Sequence, residues 1–334
     1  MRYYLLSVFA LVFGFNSIAQ DIHFSQFIDS PMTLNPALTG KIPFQDIDHN
    51  LLRIGANFKN QGASISAPYR TYSAFVDGSI STAKMRKSQM GFGLLLYNDN
   101  AGDGSLQNSS AMLNMAFTRG FNRFNTFKAT LAFSVGFINR SVDVSKLVFD
   151  NQWNGVIFDP AASSNENFST NSIFAVNFNF GGLISYEINT DLTIQIGSSL
   201  NHINKPQTSF YDSDNRINQK LIIHANATII SEHGVVIEPA AMYSLQGMTY
   251  ELVLGSNISL SKTDAQLIVG LWYRLNRDFI PLVGIKYQGY KVAISYDVNV
   301  SPLKTASNYQ GGVEISLVKV FSKRGSRTEC SGYK

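Results

Sequence analysis

The chain has 334 residues, of which 45% are hydrophobic, 12% aromatic and only 15% charged, whereas ordinary soluble chains carry about 25% charged residues. A formal charge of +4, scattered apart from Lys84-Met85-Arg86-Lys87 and Lys323-Arg324, gives no basic stripe for nucleic acid. The only cysteine, Cys330, rules out an internal disulfide, and 24 Phe with 15 Tyr suit a surface that meets lipid.

Arg2, an apolar run from Tyr4 to Phe15 and the small residues Ser17 and Ala19 make residues 1–19 read as a secretory signal peptide. The run is too short for a spanning helix, which needs roughly 20 apolar residues, and no later stretch reaches that length. Residues 20–50 show no strand period. They hold Phe24, Phe27, Leu34, Pro31 and Pro36 among polar groups, too apolar to hang in water at little cost and too few for a domain. The expectation is a plug folded into the mouth or lumen of a barrel built from the residues after 50, with His23, Ser25, Gln26 and Asn35 bonded to inward polar groups. The alternative is a flexible periplasmic lead-in.

From residue 51 onward the pattern is alternation with period two. Phe127, Ala129, Leu131, Phe133, Val135 and Phe137 interleave with Lys128, Thr130, Ala132, Ser134 and Gly136. Phe174 to Ile188 and Leu192 to Leu200 repeat it. Strands are predicted near 51–60, 69–80, 89–98, 109–119, 126–139, 172–186, 191–202, 219–231, 234–244, 250–259, 265–275, 279–288, 290–299 and 311–320. Fourteen strands of about ten residues, apolar outward and polar inward, match a bacterial outer-membrane barrel. The fold class is therefore all-β, a transmembrane antiparallel barrel over 51–320 with a periplasmic tail at 321–334. A soluble β-sandwich shares the alternation but has no reason for so many successive strands with one apolar face.

Connections give a second test, because such barrels have long outer loops and short periplasmic turns. If the first strand runs outward, 61–68, 99–108, 140–171, 203–218, 245–249, 276–278 and 300–310 are outer, and both termini are periplasmic. The longest, 140–171, carries Phe149, Trp153, Phe158 and Phe168 and is expected to form a surface lid or contact region, shared with 203–218. A loop that merely covers the barrel is the competing reading. Tyr69, Tyr97, Tyr243, Tyr250, Phe279, Tyr287 and Tyr290 lie near strand ends, as interfacial girdles require. In the last strand, Gln310-Gly311-Gly312-Val313-Glu314-Ile315-Ser316-Leu317 is similar to a terminal insertion signal.

Catalytic chemistry finds little footing. The histidines His23, His49, His202, His224 and His233 are dispersed without a metal-binding spacing, and His224 alternates as an inward polar group. Asp99 to Gly104 lacks two of the ligands of a calcium loop. No cofactor, no metal and no enzyme activity are expected.

The opening stretch Gln20 to Gly40, QDIHFSQFIDSPMTLNPALTG, resembles the start of the PorP/SprF family of type IX secretion outer-membrane proteins. Tyr97-Asn98-Asp99, Val142 to Leu147, Asn201-His202 with Pro206, Ser295-Tyr296-Asp297 and Glu314-Ile315-Ser316-Leu317 extend the resemblance in order. Gly312-Val313 and the tail Cys330-Ser331-Gly332-Tyr333 depart from it. The resemblance implies an accessory barrel that supports secretion or surface attachment of a particular cargo, such as an adhesin with a C-terminal sorting domain. It also implies type IX partners, including a periplasmic peptidoglycan-binding protein. It makes His23, Phe24, Ser25, Gln26, Phe27, Pro31, Asn35 and Pro36 the candidate plug or partner-binding residues. A transporter or porin for small solutes or fatty acids is the alternative function.

Overall fold

The computed structural model describes residues 21–41, 51–62, 68–81, 87–102, 104–159, 161–211, 214–231, 234–261, 265–305 and 307–322. The leader at 1–19, residues 42–50 and Cys330 with most of the expected tail lie outside them.

Fourteen strands close into one antiparallel barrel in sequence order. They are β1 (Leu51–Gln61), β2 (Tyr69–Ile80), β3 (Ser88–Ala101), β4 (Leu106–Gly120), β5 (Phe127–Ser141), β6 (Ser172–Glu187) and β7 (Leu192–Asn201). The second half comprises β8 (Lys220–Ile230), β9 (Val235–Gln246), β10 (Thr249–Ser261), β11 (Ala265–Arg274), β12 (Asp278–Tyr287), β13 (Tyr290–Asn299) and β14 (Gln310–Ser322). β1 closes on β14 from Leu51↔Ser322 to Gln61↔Gly312, so no edge remains.

Alternation becomes two faces. On β5, Phe127, Leu131, Phe133 and Phe137 are exposed while Thr130, Ala132, Ser134 and Gly136 are buried toward the lumen. Phe137 stacks on Phe174 across the outer wall at 4.8 Å between ring centres, and Phe133 on Phe178 at 5.8 Å. An apolar exterior running from strand to strand far exceeds the few hundred Å² a water-soluble surface tolerates, so it faces lipid. Two prolines sit inside strands, where the missing N–H interrupts one ladder only. Pro239 leaves a gap between β8 and β9, and Pro281 between β12 and β13, while each keeps its register on the opposite side.

Two predicted outer connections shrink. The β3–β4 ladder continues through Asn98↔Ser109 to Ala101↔Leu106, which leaves only 102–105 of the expected 99–108 loop. The β9–β10 hairpin closes over Gly247 and Met248. The β14 ladder also takes in Phe321 and Ser322, two residues of the expected tail. The asymmetry still holds: 142–171, 202–219 and 300–309 connect at one end, the long-loop end. At the other, the short-turn end, the turns tighten to the pair Gln288-Gly289. Both residues of that pair have positive φ, 46° and 79°, as a two-residue hairpin turn requires. Tyr69, Tyr250, Phe279, Tyr287 and Tyr290 stand exposed near strand ends, as expected of girdles. Tyr97 does not: it turns inward against Met32, Phe75, Leu95 and Met112.

Residues 21–41 lie inside the barrel as three short turns, Phe27–Asp29, Pro31–Leu34 and Pro36–Leu38. Pro31 and Pro36 each open a turn, where a missing N–H costs nothing. The segment is not confined to the mouth. Asp21 lies beside His202 and Gln246 at the long-loop end, and Gly40 beside Asp77, Gly78 and Gly91 at the short-turn end. It runs the length of the lumen, antiparallel to β1. The wall is shaped for it: a Cβ on Gly91 would come within 2.3 Å of the Thr39 carbonyl oxygen, and one on Gly181 within 2.1 Å of Asn35 Oδ1.

Candidate functional site

The segment is held by two unlike sets of contacts. On one side Phe27 and Leu34 enter an apolar cluster with Ile222, Val253, Ile268, Trp272 and Ile280. Phe27 meets Trp272 edge to face at 5.2 Å, and the Trp272 N–H donates to Asn257 Oδ1 at 2.9 Å. Met32 enters a second cluster with Phe75, Leu95 and Met112. Apolar burial of this kind gives roughly 25 cal/mol per Å² without fixing direction.

Direction comes from the second set, a buried polar network centred on Ser25. Its hydroxyl donates to Asp297 (2.8 Å) and accepts from Lys59 Nζ (3.1 Å) and Arg274 Nη2 (2.8 Å), which uses its full hydrogen-bonding capacity. The backbone N–H groups of Ser25 and Gln26 donate to the two oxygens of Glu314 at 2.7 and 2.8 Å. The Gln26 amide donates to Ser295 Oγ and the Glu314 carbonyl and accepts from Ser316 Oγ. Arg274, fully buried, also binds Glu251 (3.1 Å), Asp278 (2.5 Å) and Asp297 (3.1 Å). Lys59 lies 3.4 Å from Asp297 and 3.8 Å from Glu314. Buried ionic groups persist only when paired and hydrogen-bonded, and here every acid in the network has a cation or a segment donor.

Further anchors lie along the segment. Asp21 pairs with His202, whose Nδ1 lies 2.9 Å from Asn177 Oδ1, and Lys220 donates to the Ile22 carbonyl at 3.1 Å. Asp29 takes Lys291 at 2.6 Å. The Asn35 amide donates to the Gly182 carbonyl at 3.0 Å and faces His224 Nε2 at 3.0 Å, while its oxygen accepts from the Ala37 N–H. At the short-turn end Arg53 grips both oxygens of Asp77 (2.9 and 2.7 Å), and Asp77 also accepts from the Gly40 N–H.

Of the four polar residues expected to bond inward, Ser25, Gln26 and Asn35 do so through their side chains. His23 does so only through its carbonyl, which accepts from Lys59 at 3.3 Å, while its Nε2 is buried without a partner among the described residues. Phe24, Pro31 and Pro36 are buried in the lumen. The partners themselves, Lys59, Glu251, Arg274 and Asp278, are not marked by any motif. The available signal is charge on the inward face of an alternating strand in a chain with few charges. Asp297 and Glu314 lie within stretches that carry the family resemblance, and the fold brings those stretches from the end of the chain onto its opening.

The long loop is separate from this network. Phe149 lies 6.3 Å from Phe168 between ring centres, Phe168 stacks on Tyr211 of the 202–219 connection at 4.9 Å, and the Tyr211 hydroxyl donates to Glu166 at 3.2 Å. The Ser169 N–H donates to the Phe210 carbonyl at 3.0 Å, so the two loops brace each other. Trp153 and Phe158 pair instead across a small hairpin around Asn154, whose side chain accepts from Val156 and Ile157. Trp153, Val156 and Ile157 are left exposed at 56%, 79% and 60%. At the loop's start, the Ser145 hydroxyl and then Lys146, both bonded to its carboxylate, hold Asp143 below the usual carboxylate range. Among the described residues no group of three His, Cys, Asp or Glu side chains is arranged to hold a metal ion.

Residues 16–318 match the family described as type IX secretion system membrane protein PorP/SprF. The sequence matches no curated protein. Among solved structures, the barrel is similar to the toluene transporter TodX of Pseudomonas putida, with a TM-score of 0.55 at 9% identity over 89% of this chain and 93% of that one. The toluene transporter TbuX of Ralstonia pickettii gives 0.53 at 9% identity, over 89% and 93%. A FadL homologue of Pseudomonas aeruginosa gives 0.50 at 10% identity, over 86% and 91%. These likenesses establish a shared barrel fold.

Proposed function

Since the chain belongs to the PorP/SprF family of type IX secretion system membrane proteins, we propose that it is an outer-membrane accessory barrel supporting secretion or surface attachment of one cargo protein, such as an adhesin. The observation that carries this reading is the exposed apolar tip of Trp153, Val156 and Ile157 on a loop braced by its neighbour. Tryptophan is among the side chains that protein interfaces most use as anchors, and Val156 and Ile157 extend the apolar patch around it. The long-loop end then faces outward and presents this tip to the C-terminal sorting domain of the cargo. The short-turn end faces the periplasm and its type IX components, a peptidoglycan-binding protein among them. Residues 21–41 act as a plug, so the barrel does not leak.

Two aspartates introduced together, Trp153→Asp and Ile157→Asp, test the reading. Neither side chain takes part in the lumen network, so the heat-modifiable barrel band persists. Co-purification of the cargo in mild detergent is lost. Retention of cargo at the wild-type level refutes a role for the loop tip.

A second reading, passage of small solutes, draws on an open cavity of about 360 Å³ in the short-turn half of the lumen and on the transporter names of TodX and TbuX. The two readings part in a planar bilayer: the accessory barrel is electrically silent, and a solute pore conducts.

A further inference from the structure

The segment fills the lumen unevenly. Below Phe27, Ile28, Leu34 and Leu38, toward the short-turn end, lies the cavity of about 360 Å³, whose strand wall joins Ile268, Val318 and Val320 to the polar Asn226, Glu238 and Gln266. Ile28 and Leu38 pack against the apolar cluster with one flank and stay half-buried. The cavity therefore has an apolar roof that the barrel does not cover.

Its rim is charged in an unusual way. Lys286 and Lys291 face each other directly across the β12–β13 ladder, an arrangement that like charges disfavour. Lys291 is neutralised by Asp29 at 2.6 Å, and Arg53, also on the lining, by Asp77 at 2.7 Å. Among the described residues neither Lys286 nor Lys41, which shares the lining, makes an ion pair within 4.0 Å, and Glu238 is the lining carboxylate that remains once Asp29 has taken Lys291. It lies one residue from the end of β12, at the mouth, whereas Phe27, Leu34 and Ile268 lie deeper. Apolar depth with a cation at the entrance is the layout for a ligand that enters tail first and leaves an anionic head at the opening.

We propose that the short-turn half of the lumen is a binding site for a single-chain anionic amphiphile, its tail against Ile28, Leu38 and Ile268 and its head at Lys286. The recess is concave and within the roughly 300–1,000 Å³ range of small-molecule sites. A protein partner would instead need upwards of about 1,200 Å² of buried surface. The site lies at the opposite end of the barrel from the loop tip and does not depend on the cargo reading.

The test uses the purified full chain in lipid nanodiscs, with dodecanoate, dodecyl phosphate and dodecyltrimethylammonium as probes and binding followed by equilibrium dialysis. An anionic probe binds saturably, one per barrel, and the cationic one does not. Lys286→Glu, which breaks no hydrogen bond or close ion pair among the described residues, weakens binding about tenfold or more, the loss of one charge-assisted hydrogen bond. Ile28→Trp, which fills the cavity from above, abolishes it. Binding no greater than that of empty nanodiscs overturns the proposal. So does binding indifferent to Lys286→Glu or to the sign of the head group, which would be partition into apolar surface alone.

Discussion

Replacing Ser25 by alanine removes one oxygen from the interior of the barrel and separates the plug's hold from the barrel's own stability. Lys59 and Arg274 lose an acceptor at 3.1 and 2.8 Å, and Asp297 loses a donor at 2.8 Å. A hydrogen bond to a charged group contributes about 1.5–3 kcal/mol, but all three ions keep other partners in the network, so the net loss is about 2 kcal/mol. That loss falls on the segment, because no strand ladder involves Ser25. Opening of residues 21–41 becomes about 30-fold more populated, since each 1.4 kcal/mol is a factor of ten. Hydrogen–deuterium exchange reads this directly: amides of 21–41 exchange about 30-fold faster in Ser25→Ala, while those of β5 and β6 keep their wild-type rates. Thr33→Val is the control, because the Thr33 hydroxyl bonds only to Ser30 within the segment. Unchanged exchange in 21–41, or equal acceleration across segment and strands, refutes the argument that a discrete network fixes the plug.

Asp77→Asn leaves Arg53 buried without its carboxylate and sets an amide N–H against a donor of Arg53 or of Gly40; the expected cost is about 3 kcal/mol, read as a lower heat-modification temperature. Gly91→Val drives a side chain into the Thr39 carbonyl, displaces the segment's end and gives ion conductance in a planar bilayer where the wild type is silent. Leu131→Lys places a charge on the lipid side of β5 and destabilises refolding into vesicles by up to about 2–4 kcal/mol, the midplane value of a penalty that falls toward the interfaces.

The barrel was readable because its determinant is local. A wall with lipid on one side and a packed lumen on the other imposes period two on every strand, and each strand declares itself within ten residues. Strand ends were less legible: Asp99 to Ala101 read as loop because polar residues continue where the β3–β4 ladder rises past the apolar band. The segment's course was less legible still. Its composition suggested a plug, but the contacts that set its direction join residues as far apart as Ser25 and Glu314, 289 positions along the chain. No periodicity relates such positions. The inward turn of Tyr97 has the same origin, since only the packing of Met32 against Leu95 and Met112 calls for an aromatic group there. The pairing of the loops at 142–171 and 202–219 through Phe168 and Tyr211 followed only in outline from their shared end of the barrel.

The proposed role requires that the loop tip at Trp153 meet a protein. A photo-crosslinking amino acid at position 153, activated in intact cells, measures this directly. The expected product is a covalent adduct with a secreted protein carrying a C-terminal sorting domain, lost on Ile157→Asp. No protein adduct at position 153, from a barrel that assembles normally and conducts ions when reconstituted, would contradict it.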